Sequence, residues 1–176
     1  MARSIADFKS SFTTDLARAN RFDVFIPVPF ILLGTPYVST QNLTYRCDVA
    51  QLPGRSLDTT PRKTYGPVEK IPYLMTYNDV DLTFLIDDDM KQKYLFDGWI
   101  NLINPYSSND YGYKDEYSTT ITINQYDVEN KLSYSVDLIE AYPVSVNQMD
   151  LDWNNDGVHK LTVSFTYTYW KNNSLF

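Results

Sequence analysis

Cys47 and His159 are the two residues whose side chains could form a nucleophile and its base, because the sequence contains one cysteine and one histidine. Such a pair supports acyl transfer only when the imidazole reaches the thiol and is itself oriented. Cys47 lies in an apolar stretch, which is typical of a small buried side chain, and His159 follows an Asp-Gly turn signal, where a surface position is expected. The sequence contains no G-x-S-x-G, glycine-rich phosphate loop or H-E-x-x-H motif. We therefore predict no catalytic residue and expect that the protein is not an enzyme.

Two clusters of carboxylates have the composition of a site for a hard cation. Asp87-Asp88-Asp89 precedes a helical pattern, where an N-cap and an acidic first turn explain the three residues. The run Asp152-x-Asn154-x-Asp156-Gly157 matches the first half of an EF-hand loop, but Val163 stands at the twelfth position, where a bidentate glutamate is required. We therefore predict no metal and no cofactor. The other carboxylates and the 15 tyrosines leave one alternative open, a carbohydrate-binding or hydrolytic β-sandwich domain.

Alternation of apolar and polar residues, the period of a half-buried strand, dominates the chain. It predicts strands over residues 22–26, 43–50, 80–86, 119–126 and 161–169, and a long strand that begins at residue 132. Within this long strand Pro143 predicts a bulge or an edge, and Asn155-Asp156-Gly157 predicts a hairpin turn after it.

One segment has the period of an amphipathic helix, over about residues 88–103. Residues 1–20 are predicted as an N-terminal arm or a short helix, and residues 30–42 and 106–117 as loops. The predicted fold is therefore mainly β with one flanking helix.

The length of 176 residues and the hydrophobic content of 43% suit a single globular domain, residues 1–176. No apolar run approaches the roughly 20 residues of a membrane-spanning helix, and residues 1–20 lack the pattern of a signal peptide, so no membrane anchor is predicted. Because the single cysteine cannot form an intramolecular disulfide, a reducing compartment is favoured.

The formal net charge of −7 argues against a conventional nucleic-acid-binding surface. Residues 1–70 contain nine Lys or Arg and six Asp or Glu, whereas residues 71–176 contain six and sixteen, so the two parts carry +3 and −10. An ordinary solvated surface is compatible with this split. It also fits a molecule whose basic part meets the acidic part of a neighbouring copy, which would favour head-to-tail association.

Residues 54–76 combine cations, prolines and aromatic residues in short extended pieces. Because proline removes a donor from a strand ladder, we predict a protruding ribbon or long loop at the margin of the domain. A poorly ordered surface loop is the alternative. Its apolar side chains favour a covering partner. The residues that we predict to make subunit contacts here are Arg55, Arg62, Lys63, Tyr65 and Lys70.

The predicted strand over residues 161–169 has two different faces. One is apolar and the other consists of Thr162, Ser164, Thr166 and Thr168. Exposed sheet faces and edges usually carry charged residues as protection against association. The face without charge therefore fits a sheet that another subunit continues or covers, with a Thr-rich solvent face as the alternative.

Several stretches of the sequence resemble the tail tube proteins of T4-like contractile phages, and they occur in the same order. They are Leu16–Val24, Tyr45–Gly54 with its Leu-Pro turn, the strand and helix from Asp79 to Trp99, the Gln125-Tyr126 pair, Tyr142 to Trp153, and Phe165 to Trp170. The most distinctive element is Leu151-Asp152-Trp153 together with the terminal Tyr169-Trp170. Departures from the family pattern lie in the loops 30–42 and 106–117.

The resemblance implies an antiparallel β-sandwich or barrel-like tail tube fold in which six copies join their sheets into a ring. Rings would stack into a tube, an architecture that type VI secretion tube proteins share. The implied partners are further copies of the chain, the sheath protein, the baseplate or tube initiator, the tape-measure protein and the tail terminator, with DNA passing through the lumen. The implied location is the virion tail, assembled in the host cytoplasm. A baseplate tube-initiator or tube-capping protein of the same fold is the alternative.

Within this picture we expect the ribbon from Arg62 to Lys70 to reach the next ring. Its acidic counterparts are expected to be Asp110, Asp115 and Glu116. The tryptophans expected in the core or in the family motifs are Trp99, Trp153 and Trp170. A ring of six would carry about −42, which would repel phosphate and let DNA slide.

Overall fold

The computed structural model describes residues 5–10, 16–27, 29–33, 41–63, 65–108, 110–154 and 156–173. In these ranges the elements follow one another as α1 (Ile5–Ser10), β1 (Phe22–Phe25), a 3-10 helix (Phe30–Leu32), α2 (Gln41–Arg46), β2 (Cys47–Ala50), β3 (Arg55–Arg62), β4 (Glu69–Tyr77), β5 (Val80–Leu85), α3 (Lys91–Ile103), α4 (Lys114–Tyr117), β6 (Thr119–Tyr126), β7 (Leu132–Val146), β8 (Lys160–Thr166) and β9 (Tyr169–Asn172). No helix in these ranges is long and apolar enough to cross a membrane.

One antiparallel sheet forms the body of the protein, with the strand order β1-β6-β7-β8-β5-β2 and with β9 added to the first half of β7. Its terminal strands β1 and β2 contact each other, so the sheet curves round into a barrel-like form. Strands β3 and β4 form a separate two-stranded sheet. The prediction of a mainly β, antiparallel fold is confirmed.

The core lies between the inner faces of these strands and α3. Val80, Leu82 and Phe84 of β5 are buried while the residues between them are half-buried, as the alternation predicted. Helix α3 closes the core with Leu95, Phe96 and Trp99. Three aromatic contacts join the layers: the ring centroids of Phe84 and Phe96 are 5.1 Å apart, those of Phe96 and Phe165 6.0 Å, and those of Trp99 and Phe165 6.2 Å.

The start of α3 differs from the prediction. The helix begins at Lys91 instead of residue 88, and its N-cap is Met90, which has a left-handed backbone with φ 54° and makes no capping hydrogen bond through its side chain. Asp87 instead pairs with Arg46 and accepts a hydrogen bond from Gln92 Nε2 at 2.8 Å. The interpretation of Asp87–Asp89 as a helix cap is therefore wrong, because Asp87 serves a contact with a distant part of the chain.

The strand predicted over residues 43–50 is also wrong in its first half, where α2 precedes the short β2. The helical turn points Leu43 into the core and brings Arg46 to Asp87. Val49 is exposed, so the period of two does not describe this segment.

Strand β7 bends between its two halves. Its pairing with β6 shifts register beyond Ile121, and Glu140 there has a φ of 54°, which is uncommon for a residue with a side chain. The Glu140 carboxylate accepts hydrogen bonds from Lys114 and Thr168. These contacts hold the pKa of Glu140 below its ordinary value, with the Lys114 bond as the main cause. A second register shift between Pro143 and Ser145 confirms the bulge predicted from the proline.

The last predicted strand is interrupted. Residues 161–169 do not form one strand, because β8 ends at Thr166, pairing with β5 and β7, and β9 begins at Tyr169 against the first half of β7. The backbone N–H of Thr168 binds the carbonyl of Ile139 at 3.0 Å within this interruption. The break follows the bend of β7, whose two halves these strands cover.

Three further predictions concern connections. Strands β7 and β8 are joined by residues 147–159, a longer connection than the hairpin turn predicted at residues 155–157; Asn155 lies outside the described residues. Of the predicted N-terminal arm, Ile5–Ser10 is a short helix, and residues 1–4 and 11–15 lie outside the described residues. Of the loop predicted at residues 30–42, residues 34–40 also lie outside the described residues.

Candidate assembly surfaces

The hairpin of β3 and β4, together with its connecting turn, contains all five residues of the segment 54–76 that were predicted to make subunit contacts. Its ladder runs from the pair Arg55–Tyr77 to the pair Arg62–Glu69, with a register shift after Asp58. Gly66 in the turn has a φ of +120°, which residues with a Cβ rarely adopt, and this conformation explains the glycine.

Side chains on both faces of this hairpin are uncovered. Leu57 and Met75 are ladder partners and share one face, whereas Leu74 points to the other, and all three are exposed. Tyr73 is 68% exposed and Tyr65 at the tip is fully exposed. A two-stranded hairpin alone is marginally stable in water. An apolar surface of this extent therefore indicates a site that a partner covers.

The base of the hairpin is anchored to the body of the protein. The rings of Tyr77 and Tyr167 lie 6.1 Å apart, and the Tyr167 hydroxyl donates to the Asn78 carbonyl at 2.8 Å. The Arg55 guanidinium carbon lies 5.1 Å from the ring centroid of Trp170, a cation–π distance. These contacts fix the direction in which the hairpin leaves the sheet.

The predicted acidic residues Asp110, Asp115 and Glu116 are all exposed and lie in and just before α4. Lys114 of this short helix binds Thr168, which follows Tyr167 at the hairpin base. The structure therefore places the acidic group beside the base of the hairpin, not at the opposite end of the molecule.

Residues 147–154 and 156–159 form a second exposed surface, which was not predicted as a contact surface. Trp153 is fully exposed and Leu151 is 86% exposed, with Val158 exposed beside them. The loop surrounds an open pocket of about 540 Å³ and carries three exposed carboxylates, Asp150, Asp152 and Asp156.

Trp153 was expected either in the core or in a family motif, and its exposure excludes the first of these for Trp153. Trp99 is buried and Trp170 is half-buried, but the Trp153 ring has no cover in the protomer. Its sequence neighbours Asp152 and Asn154 are polar, and this flanking was the signal that could have indicated a surface loop.

The hydroxylated face of β8 is half-buried and internally bonded. The hydroxyls of Thr83 and Thr162 lie 3.0 Å apart, and Ser164 donates to the carboxylate of Asp81. The residues of β8 themselves add no charge to this face after Lys160, but Asp81 brings a carboxylate onto it from β5.

No hydrogen bond joins Cys47 and His159 in the described part of the chain. The Cys47 thiol is directed instead to the Val49 carbonyl at 3.5 Å. Burial, with a smaller contribution from Asp48, raises the pKa of Cys47 to about 12. Across the described residues, no group of three or more His, Cys, Asp or Glu could hold a metal ion.

Slow alkylation of Cys47 in the folded protein is expected from this pKa. Raising the thiol pKa from 9.0 to about 12 lowers the thiolate fraction at pH 8 by about a thousandfold. Because the thiolate is the form that reacts, the alkylation rate is expected to fall by about the same factor. Mass spectrometry after iodoacetamide treatment at pH 8, with and without denaturant, measures the effect. Equal rates in the two conditions would contradict the buried, protonated thiol.

The chain matches known proteins both in sequence pattern and in fold. The family model described as phage tail tube protein matches residues 17–173. A search of curated proteins finds no match. A chain from the structure of an extracellular contractile injection system, the PVC sheath/tube terminator in the extended state, superposes with a TM-score of 0.64 at 15% identity, covering 92% of this chain and 99% of that one.

Two other solved structures give similar superpositions. A chain from the cap of the anti-feeding prophage has a TM-score of 0.64 at 16% identity, with 92% and 93% of the two chains covered. A chain from the PVC sheath–tube complex has a TM-score of 0.59 at 14% identity, with 98% and 99% covered. At these identities the superpositions show a shared fold, and the family model supplies the assignment: the chain belongs to the phage tail tube protein family.

Proposed function

We propose that this chain is a structural virion protein whose hexameric rings stack into the inner tube of a contractile phage tail. The observation that carries this proposal is the match of the tail tube family model to residues 17–173. The fold shared with chains of contractile injection systems supports it, since those structures include a sheath–tube complex. In this role the chain performs no chemistry, and its work is done by the surfaces it presents to other subunits.

Within a ring, neighbouring copies join through strand edges and the hydroxylated sheet face. Strands β1 and β2 end the strand order and contact each other, whereas β9 pairs with β7 alone within the described part of the chain, so β9 is the strand that we expect another subunit to continue. Continuing a sheet between subunits satisfies such edges and removes a route to uncontrolled aggregation. The Thr and Ser side chains around Thr162 and Ser164 would lie within the joined surface.

Between rings, the uncovered hairpin makes the contact, with Arg62 and Lys63 near its tip. The acidic group Asp110, Asp115 and Glu116 lies beside the base of the same hairpin, as described above. When all rings of a stack point in the same direction, the hairpin end of one ring faces the opposite end of the next. The acidic group therefore fits the hairpin of a neighbour in the same ring better than a hairpin from the next ring.

The assembled tube conducts DNA without holding it. A ring of six copies carries about −42, and this charge repels phosphate so that DNA slides through the lumen. The sheath protein surrounds the tube, the tape-measure protein occupies the lumen before DNA, and the baseplate or initiator and the tail terminator contact its two ends. Assembly takes place in the cytoplasm of the bacterial host.

A tube-capping or baseplate role is the second candidate. The superpositions with chains from a terminator and a cap, both at a TM-score of 0.64, favour it as much as the tube, for which the sheath–tube chain gives 0.59. Such a protein would form a ring without propagating a stack.

Electron microscopy of the purified protein, with light scattering to measure mass, tests the proposal. A tube subunit is expected to form open-ended tubes or stacked rings, whereas a capping or baseplate protein is expected to form single rings. A protein that stays monomeric and binds glycan would contradict both and support the carbohydrate-binding alternative.

A further inference from the structure

We propose that the loop between β7 and β8, in its described residues 147–154 and 156–159, is the receptor for the hairpin of a second copy of this chain, so that the two surfaces form the contact between successive rings. This inference rests on the proposed function, because it names the partner of the hairpin within the stacked tube.

The hairpin and the loop leave opposite ends of strand β5. Tyr77, the last residue of the hairpin, lies three residues before Val80, where β5 begins. At the other end Leu85 pairs with Lys160, and Ile86 donates to the His159 carbonyl at the end of the loop. The six residues of β5 separate the two attachment points by about 20 Å at the usual rise of a strand. A head-to-tail stack joins unlike ends of identical subunits, which is the relation that these two surfaces have.

The charges of the two surfaces are opposite. Residues 55–77 contain four cationic and two acidic side chains, whereas residues 147–159 contain three acidic side chains and no Lys or Arg. The cations Arg62 and Lys63 lie near the free end of the hairpin, and Asp150, Asp152 and Asp156 are all exposed. Opposite potentials favour correct encounter and disfavour the contact of like ends.

The apolar side chains of the two surfaces also correspond. The hairpin exposes apolar groups on both faces, so it fits a recess better than a flat surface. The loop provides such a recess, the open pocket of about 540 Å³, with Leu151, Trp153 and Val158 among its lining residues. An exposed tryptophan beside a recess is the residue type that most often dominates the binding energy of an interface.

The acidic group of Asp110, Asp115 and Glu116 is a weaker receptor for a hairpin from the next ring. Lys114 ties α4 to Thr168, close to Tyr167, on which the hairpin base packs. Both the hairpin base and this group therefore lie at the same end of β5. A subunit that is stacked in the same orientation would meet the hairpin with the other end of β5, where the loop between β7 and β8 lies.

A charge exchange tests the assignment. The variants Arg62→Glu/Lys63→Glu and Asp150→Lys/Asp152→Lys are each expected to raise the protein concentration needed for tube formation by orders of magnitude, up to about 10⁴-fold, because each creates like charges across the contact and a ring repeats the contact six times. Combining the four substitutions is expected to restore tube formation towards the wild-type concentration. The matched control combines Arg62→Glu/Lys63→Glu with Asp115→Lys/Glu116→Lys and is expected to give no rescue.

A second variant tests the apolar part of the contact. Trp153→Ala is expected to raise the concentration for tube formation about tenfold or more, while single rings form normally and the melting temperature of the protomer is unchanged. Rescue by the Asp115/Glu116 substitutions instead, or normal tubes from Trp153→Ala, would overturn the inference and leave the proposed tube function in place. A wild-type protein that forms single rings but no tubes or stacked rings would overturn both the inference and the proposed tube function, and one that forms no rings at all would also overturn the capping role.

Discussion

Replacing Trp99 with alanine is expected to lower the free energy of unfolding by about 3–5 kcal/mol, the range for removing a large aromatic side chain from a core. Trp99 is 1% exposed and packs edge-on against Phe165, with ring centroids 6.2 Å apart. Its Nε1 donates to the Tyr117 carbonyl at 2.9 Å, which ties α3 to the segment before β6. The substitution therefore leaves both a cavity and a carbonyl that has lost its donor.

Urea unfolding followed by circular dichroism, at a concentration that keeps the protein unassembled, measures this loss. Trp153→Ala is the matched control, since the same residue type is fully exposed there and its removal is expected to change stability by less than about 0.5 kcal/mol. Trp99→Phe retains most of the buried ring but not the donor, and about 1–3 kcal/mol is expected. Equal effects at Trp99 and Trp153 would show that α3 does not pack on the core.

Those parts of the fold whose burial repeats with a regular period were predictable from the sequence. The limits of β6 agree with the alternation of Thr119–Tyr126, and β5 buries the face that its pattern predicted. The stripe of α3 is likewise present, with Leu95 and Trp99 buried. A strand or helix that buries one face needs only an apolar surface opposite it. Its buried residues therefore recur with a regular period that can be seen in the sequence without knowing which elements cover them.

Elements that depend on a particular distant partner were not predictable. Helix α2 forms where Leu43 reaches the core and Arg46 meets Asp87, 41 positions further along the chain by residue number. The same ion pair removes Asp87 from the capping role that its local position suggested. The break between β8 and β9 follows from the bend of β7 near Glu140, and nothing in the sequence of residues 161–169 records that bend.

The assembly surfaces divide in the same way. The prolines and exposed aromatic residues of 54–76 pointed to a surface segment, because such residues disagree with a buried central strand. The exposure of the loop that contains Trp153 was not predicted, because Trp153 was grouped with the tryptophans expected in the core or in the family motifs. Which acidic group lies at which end of β5 required the register of β5 against β8, which is a property of the folded chain.

Reversing the charges of Arg62 and Lys63 is expected to abolish tube formation at concentrations where the wild type is fully assembled. Both side chains are exposed on the hairpin and no buried group depends on them, so the free energy of unfolding of the protomer is expected to change by less than about 0.5 kcal/mol. An exposed charge pair contributes only about 0.2–1 kcal/mol. A ring of six repeats the contact, so a loss of about 1 kcal/mol per subunit becomes about 6 kcal/mol per ring, roughly 10⁴-fold in the stacking constant.

Sedimentation of the assembled fraction over a range of concentrations, and over a range of salt, measures this change. The control is Lys131→Glu in the turn between β6 and β7, which reverses an exposed charge outside both the hairpin and the loop of residues 147–159 and is expected to leave tubes intact. The wild-type stacking is expected to weaken as salt rises, because the pairs are exposed to solvent and screened. If polymerisation persists in the hairpin variant while its melting temperature falls, Arg62 and Lys63 support the fold of the protomer, and the contact between rings lies elsewhere.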